Sequence, residues 1–157
     1  MKKLRTFLIY LAVLLVSAGG LFVCYRTSVS GPPALYVNGV RTIVGNFSWK
    51  TPRGTMMTEP VDLTRIAYGD ENTITASIGE AIILRNKLPW IGARQRVQIT
   101  LFEVDTQNCY ASWPLSSYPT FTKGYADPGS YTMDIMVVYR SLFASGTAHY
   151  GAKLIVE

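Results

Sequence analysis

Hydrophobic and polar positions divide this chain into two regimes. From Phe7 to Tyr25 there are 19 residues, uncharged and mostly apolar, with Lys2, Lys3 and Arg5 before them and Arg26 after. At about 1.5 Å of rise per residue such a run nearly matches a hydrocarbon core of about 30 Å. Positive flanks stay in the cytoplasm, so the pattern predicts a single-pass helix over 7–25 with the rest of the chain outside the cytoplasmic membrane. A cleaved signal peptide is the alternative, since Phe7 to Val16 supplies an apolar centre and Ser17-Ala18-Gly19-Gly20 supplies small residues. The domain would then be secreted. The return of apolar character at Leu21-Phe22-Val23 favours a retained signal-anchor over residues 1–26. The same Phe22-Val23 pair stands before Cys24, where an acylated cysteine needs small residues, so a lipoprotein is disfavoured.

After a short stalk over 27–33, rich in small residues and proline, the period changes to two. Ile43, Phe47 and Trp49 fall on one face, with Val40, Thr42 and Val44 on the other. Ile74, Ala76 and Ile78 alternate with Thr73, Thr75 and Ser77, and Ala81 to Leu84 resumes beyond Gly79-Glu80. Val97, Ile99 and Leu101 alternate with Arg96, Gln98 and Thr100, then the phase slips at Leu101-Phe102, which predicts a β-bulge. The last two strands are the most regular. Tyr131, Met133, Ile135, Val137 and Tyr139 share one face, as do Ala148, Tyr150, Ala152, Leu154 and Val156, joined by a hairpin over Ser141 to Gly146. Turn signals recur at Val37-Asn38-Gly39, Pro52-Arg53-Gly54, Tyr68-Gly69-Asp70, Lys87-Leu88-Pro89 and Asp127-Pro128-Gly129. The expectation is an all-β domain over 34–157, an antiparallel Ig-like β-sandwich of about seven strands, preceded by one N-terminal transmembrane or signal helix.

Charge changes the picture less than its headline value suggests. Of 15 Lys and Arg, three precede the apolar run, leaving 12 against 10 Asp and Glu, or about +2. The sequence shows no run or stripe of basic residues, so nucleic acid is not expected as a partner. Cys24 and Cys109 are the only cysteines, one in the membrane run and one in the domain, which rules out a disulfide framework within the domain. Cys109 either pairs with a partner or stays buried, and a lone cysteine reads first as an inert small hydrophobe. With no CxxC and a single histidine, neither a metal site nor a cofactor is predicted.

Two stretches carry a resemblance. One is Pro33 to Gly39 followed by Gly45-Asn46-Phe47-Ser48-Trp49, and the other is the closing hairpin from Pro128 to Tyr139 and from Gly146 to Val156. In these the chain resembles a loose group of small exported bacterial proteins of uncharacterised function. The resemblance implies an extracytoplasmic Ig-like β-sandwich and brings no catalytic residues with it.

Candidate chemistry is sparse. His149, the sole histidine, lies by strand phase beside Lys153 and opposite the Tyr150/Leu154 face, and reads as a surface residue. The carboxylates of Glu59, Asp62, Asp70, Glu71, Glu103, Asp105, Asp127 and Asp134 are scattered and read as turn and surface groups. Tyr110, Trp113, Tyr118, Phe121 and Tyr125 lie close together with Pro114 and Pro119 between them, and Lys123 is the only charge there. Such rings either complete the core or stack against a sugar or a protein partner. Trp49 and Trp90 read as core or rim. The functional expectation is a membrane-anchored, non-enzymatic binding, accessory or sensory domain. Its partners are the membrane, through 7–25, and an envelope protein or glycan. The alternatives are a small envelope hydrolase using paired carboxylates and a secreted structural protein.

Overall fold

The structure, a computed structural model, describes residues 2–26, 31–86, 94–115, 120–121, 126–141 and 144–157. The apolar run forms helix α1, Lys2–Arg26. Residues Lys3–Phe22 of it are long and apolar enough to span a membrane or act as a signal, and they bury nothing against the rest of the chain. The remainder is built of strands: β1 Leu35–Val37, β2 Val40–Arg41, β3 Ile43–Thr51, β4 Gly54–Met57, β5 Thr73–Ala76, β6 Ile82–Asn86, β7 Arg94–Glu103, β8 Cys109–Leu115, β9 Thr120–Phe121, β10 Gly129–Arg140 and β11 Ser145–Val156.

Among the described residues these eleven strands form two sheets, not the seven strands expected. The smaller runs β2-β1-β6-β9. The larger runs β4-β3-β11-β10-β7-β8, with β5 beside the far end of β11. Most pairing is antiparallel, but β5 runs parallel to β11, Ile74 opposite Leu154. The surplus over seven comes largely from short strands of two to four residues, whose single alternation is too brief to stand out in a sequence.

The two sheets share one core. Leu35 and Val37 of β1 and Ile82 and Leu84 of β6 belong to the same buried cluster as the inner rows of β7, β10 and β11. All ten inward residues expected on β10 and β11 are buried, as are Val97, Ile99, Leu101 and Trp49. The β10–β11 hairpin holds an unbroken register from Gly129↔Val156 to Arg140↔Ser145. Its buried tyrosines close their own polar network: Tyr139 and Tyr150 hydroxyls lie 3.0 Å apart, and Tyr150 donates to the Pro33 carbonyl at 2.8 Å. Asn86 Nδ2 donates to Tyr139 at 3.2 Å and to Gln95 Oε1 at 2.6 Å. The first turn is as expected, with positive φ at Asn38 and Gly39, the backbone of a tight hairpin.

Two expectations change, for Ile43 and Ile78, and the bulge expected at Leu101-Phe102 is found and located. Ile43 pairs with Gly151 and Phe47 with Ala148, so the two lie on opposite faces, because a register shift intervenes in β3. The slip at Leu101-Phe102 is a shift of β8 against β7, with Tyr110 as the extra residue; the β7–β10 register runs through it unbroken. Ile78 lies beyond the end of β5 and is exposed. The stalk's residues 27–30, the turn at 87–89 and Trp90 lie outside the described residues.

Candidate functional site

The outer face of the large sheet is covered in one place by the segment from Thr58 to Asn72. Thr58 and Phe47 exchange hydrogen bonds at one end, and Asn72 Nδ2 donates to the Arg41 carbonyl at 2.7 Å at the other. Between these anchors only Leu63 is buried. It sits in a 3-10 turn, Leu63–Arg65, whose Asp62 cap accepts from Thr64 N at 3.1 Å and Thr64 Oγ1 at 2.6 Å. Those hydrogen bonds, with lesser help from Arg65 at 3.0 Å, hold the Asp62 carboxyl below its ordinary range.

Glycine makes the seat for this flap. A Cβ on Gly45 would lie 2.9 Å from Leu63 Cδ2, and one on Gly151 would run into the Tyr68 hydroxyl and lie 3.0 Å from the same Leu63 carbon. The two strands are bare where the flap lies down, and no other residue type admits so close an approach. Tyr68 donates to the Leu63 carbonyl at 2.7 Å. Burial, and then the charges of Asp134 and Asp62, push the Tyr68 hydroxyl up to about 12.

Beside the flap is a cleft of about 470 Å³, within the range of small-ligand pockets. Its floor holds Asp134 of β10 and His149 of β11, and its walls are Asn46, Phe102, Gln107 and the flap residues Val61 to Thr64. In the hairpin register Asp134 faces Gly151 and Met136 faces His149, so Asp134 and His149 are diagonal neighbours. His149 Nδ1 lies 3.0 and 3.2 Å from the two Asp134 oxygens. A carboxylate only accepts, so the proton is on Nδ1. The hydrogen bond to Asp134 raises the His149 pKa above its ordinary value, partly opposed by desolvation. Both side chains are about three-quarters buried, at 28% and 24% exposure. The expected surface histidine is thus half enclosed and paired, because Gly151 beside it lets the flap approach.

Chemically this is an oriented imidazole presenting Nε2 to a cleft with amide, carboxylate and aromatic walls. Among the described residues no hydroxyl or thiol hydrogen-bonds to Nε2, and no group of three or more His, Cys, Asp or Glu is disposed to hold a metal ion. The arrangement can bind and orient a small polar molecule and can exchange a proton with it.

The aromatic set expected from the sequence is only partly brought together. Trp113 pairs with Ile99 and packs half-buried against the core. Tyr110 is 38% exposed, donates to Asp127 Oδ2 at 2.7 Å and meets the Tyr131 ring edge-on at 5.1 Å. Of Phe121 the structure describes the backbone, in β9 opposite Ile82. Tyr118 and Tyr125 lie outside the described residues. Cys109, for which the sequence leaves pairing with a partner and burial both open, is an exposed free thiol on β8, at the end of the strand beyond the register shift. Asp134–His149 was missed because the two are 15 residues apart in sequence. Counting outward from the hairpin would have found it. Comparison with known protein families, curated proteins and solved structures returns no match to this chain.

Proposed function

We propose that this protein is a membrane-anchored extracytoplasmic binding domain, an accessory or sensory partner of other envelope components rather than a catalyst. The observation that carries the reading is α1: its residues Lys3–Phe22 expose an apolar surface on every side, which only a lipid environment relieves. The cationic residues Lys2, Lys3 and Arg5 at its start favour an amino end in the cytoplasm. The sheets beyond it then lie outside, as an Ig-like sandwich would in the group this chain resembles. Binding is supported by the cleft over Asp134 and His149, where oriented polar groups and the Phe102 ring line a space of ligand size.

Two measurements test this. Cys109 is exposed, so a membrane-impermeant maleimide added to intact cells labels it if the domain is outside, with Cys24→Ser removing background. Labelling only after lysis refutes the orientation. A photo-crosslinking amino acid at Gln107, on the cleft rim, or at Tyr110 should give a discrete adduct with an envelope component, and one at Ile78 should not. No adduct from either position refutes the binding role.

A further inference from the structure

The ten carboxylates of the chain are absent from one end of its large sheet. Arg140 of β10 pairs directly with Arg94 of β7 and, on its other side, with Ser145 of β11, which pairs with Lys50 of β3. Arg96 stands in the next row of the same face, opposite Val138. All four cations are exposed and turned outward, since their neighbours Tyr139, Val97 and Trp49 are buried in the core. Among the described residues none of these four forms an ion pair, so none is neutralised. Residues 87–93 and 142–143, which adjoin Arg94 and Arg140 in the sequence, include no acidic residue either. Like charges directly opposite one another destabilise a sheet. An Arg–Arg pair at the ends of two of its inner strands, with a lysine two strands away, therefore calls for an anion from outside. Only Arg94 and Arg96 of this cluster stand together in the sequence, because three strands supply it.

The same end of the body is where the chain enters it from α1. The Pro33 carbonyl accepts from Tyr150, whose hydroxyl meets that of Tyr139, the residue before Arg140. Leu35 pairs with Asn86, and Asn86 binds Gln95, which stands between Arg94 and Arg96. Four residues separate Arg26 at the end of α1 from Gly31, a reach of at most about 18 Å. The cations are thus tethered within reach of whatever surface α1 emerges from.

We propose that Lys50, Arg94, Arg96 and Arg140 dock the β-body, this end down, on anionic lipid headgroups of the bilayer that holds α1. The proposal rests on the anchoring reading above. Arginine suits the task, because its planar fork matches phosphate oxygens two at a time. Docking would set the orientation of the body, with the basic row against the bilayer and Cys109, at the opposite end of the β7–β8 pair, away from it. Each cation near an anionic surface is worth roughly a fivefold change in such an equilibrium, and salt screens it.

The test uses the full chain with Cys24→Ser, Cys109→Ser and Ser145→Cys, an environment-sensitive dye on Cys at 145, reconstituted in vesicles. Vesicles are pure phosphatidylcholine or phosphatidylcholine with phosphatidylglycerol at about one third, an anionic surface of the kind that attracts basic groups. Flotation after alkaline extraction reports the anchor, and protection of the dye from iodide reports docking. The expected result is flotation with both, protection only with anionic vesicles, and loss of protection at high salt. Arg94→Gln with Arg140→Gln should weaken docking about 25-fold, and because it removes a like-charge pair it should not unfold the sheet. Lys153→Gln, at the far end of the same face, should change nothing. Equal iodide access in both vesicle types, with flotation intact, overturns the docking and leaves the anchor standing. Failure to float overturns both.

Discussion

Leu63→Ala is the sharpest perturbation this structure offers. Leu63 is 5% exposed and is the one buried side chain between Thr58 and Asn72, seated over Gly45 and Gly151. Alanine removes three carbons. At about 0.8 kcal/mol per buried CH2 the loss is about 2.4 kcal/mol, near the low end of the roughly 2–5 kcal/mol found for such truncations. The low end is appropriate because a flap at the surface can settle into the space, where a closed core cannot. Apart from Tyr68 over Gly151, the remaining ties of the flap lie at its ends, so the loss falls on closure of the middle. A change of about 2.4 kcal/mol raises the flap's opening constant roughly 60-fold. Hydrogen exchange measures it at the amides of Thr64 and Arg65, which donate to Asp62. A second readout is the Tyr68 hydroxyl, whose pKa should fall from about 12 towards its ordinary 10.0 as the flap lifts. If exchange over 59–70 is unchanged and Tyr68 still titrates near its wild-type value, Leu63 does not hold the flap and the enclosure of the cleft has another cause.

Four further outcomes follow from the same geometry. His149 has a folded-state pKa raised above 6.5, so the stability it contributes is complete below that value and is lost as pH rises through the raised one; urea unfolding should show this loss in the wild type and not in Asp134→Asn. Tyr150→Phe leaves the Pro33 carbonyl and the Tyr139 hydroxyl short of a partner and should cost about 1–3 kcal/mol in denaturant unfolding; no loss would mean that water replaces the hydroxyl. Trp113→Ala should lower stability by about 2–4 kcal/mol, because the ring packs against the core. Tyr110→Phe, which loses one exposed hydrogen bond, should leave the melting temperature unchanged by calorimetry.

Much of the fold was legible along the chain. A long alternation such as Tyr131 to Tyr139 buries one face in any sheet, whatever its neighbours, and its five predicted core residues are all buried. Where the alternation was interrupted, the reading failed in a consistent way. At Gly45-Asn46 the run looks continuous, yet a register shift turns Ile43 to the face opposite Phe47. A bulge adds one residue to a strand against its partner, and the partner is not visible in the strand's own sequence. For the same reason the irregularity expected at Leu101-Phe102 is present, but its extra residue, Tyr110, belongs to the partner strand and is not visible in the sequence of β7.

What the sequence by itself determined is local: an apolar helix of membrane length, the strand phases that define the inner rows, and the turn at Asn38-Gly39. Each depends on a period or a dihedral preference that a few consecutive residues carry in full. Only the tertiary structure decided which residues share a site. Asp134 meets His149 through a hairpin register, and the flap finds its seat because two glycines from different strands lie side by side. Arg94, Arg140 and Lys50 lie in one row across β7, β10, β11 and β3, with Arg96 in the next, although in the sequence only Arg94 and Arg96 stand close together. A sheet brings together residues from strands far apart in sequence, at about 4.8 Å from one strand to the next. Its surface chemistry therefore depends on strand order and register, which belong to the assembled fold.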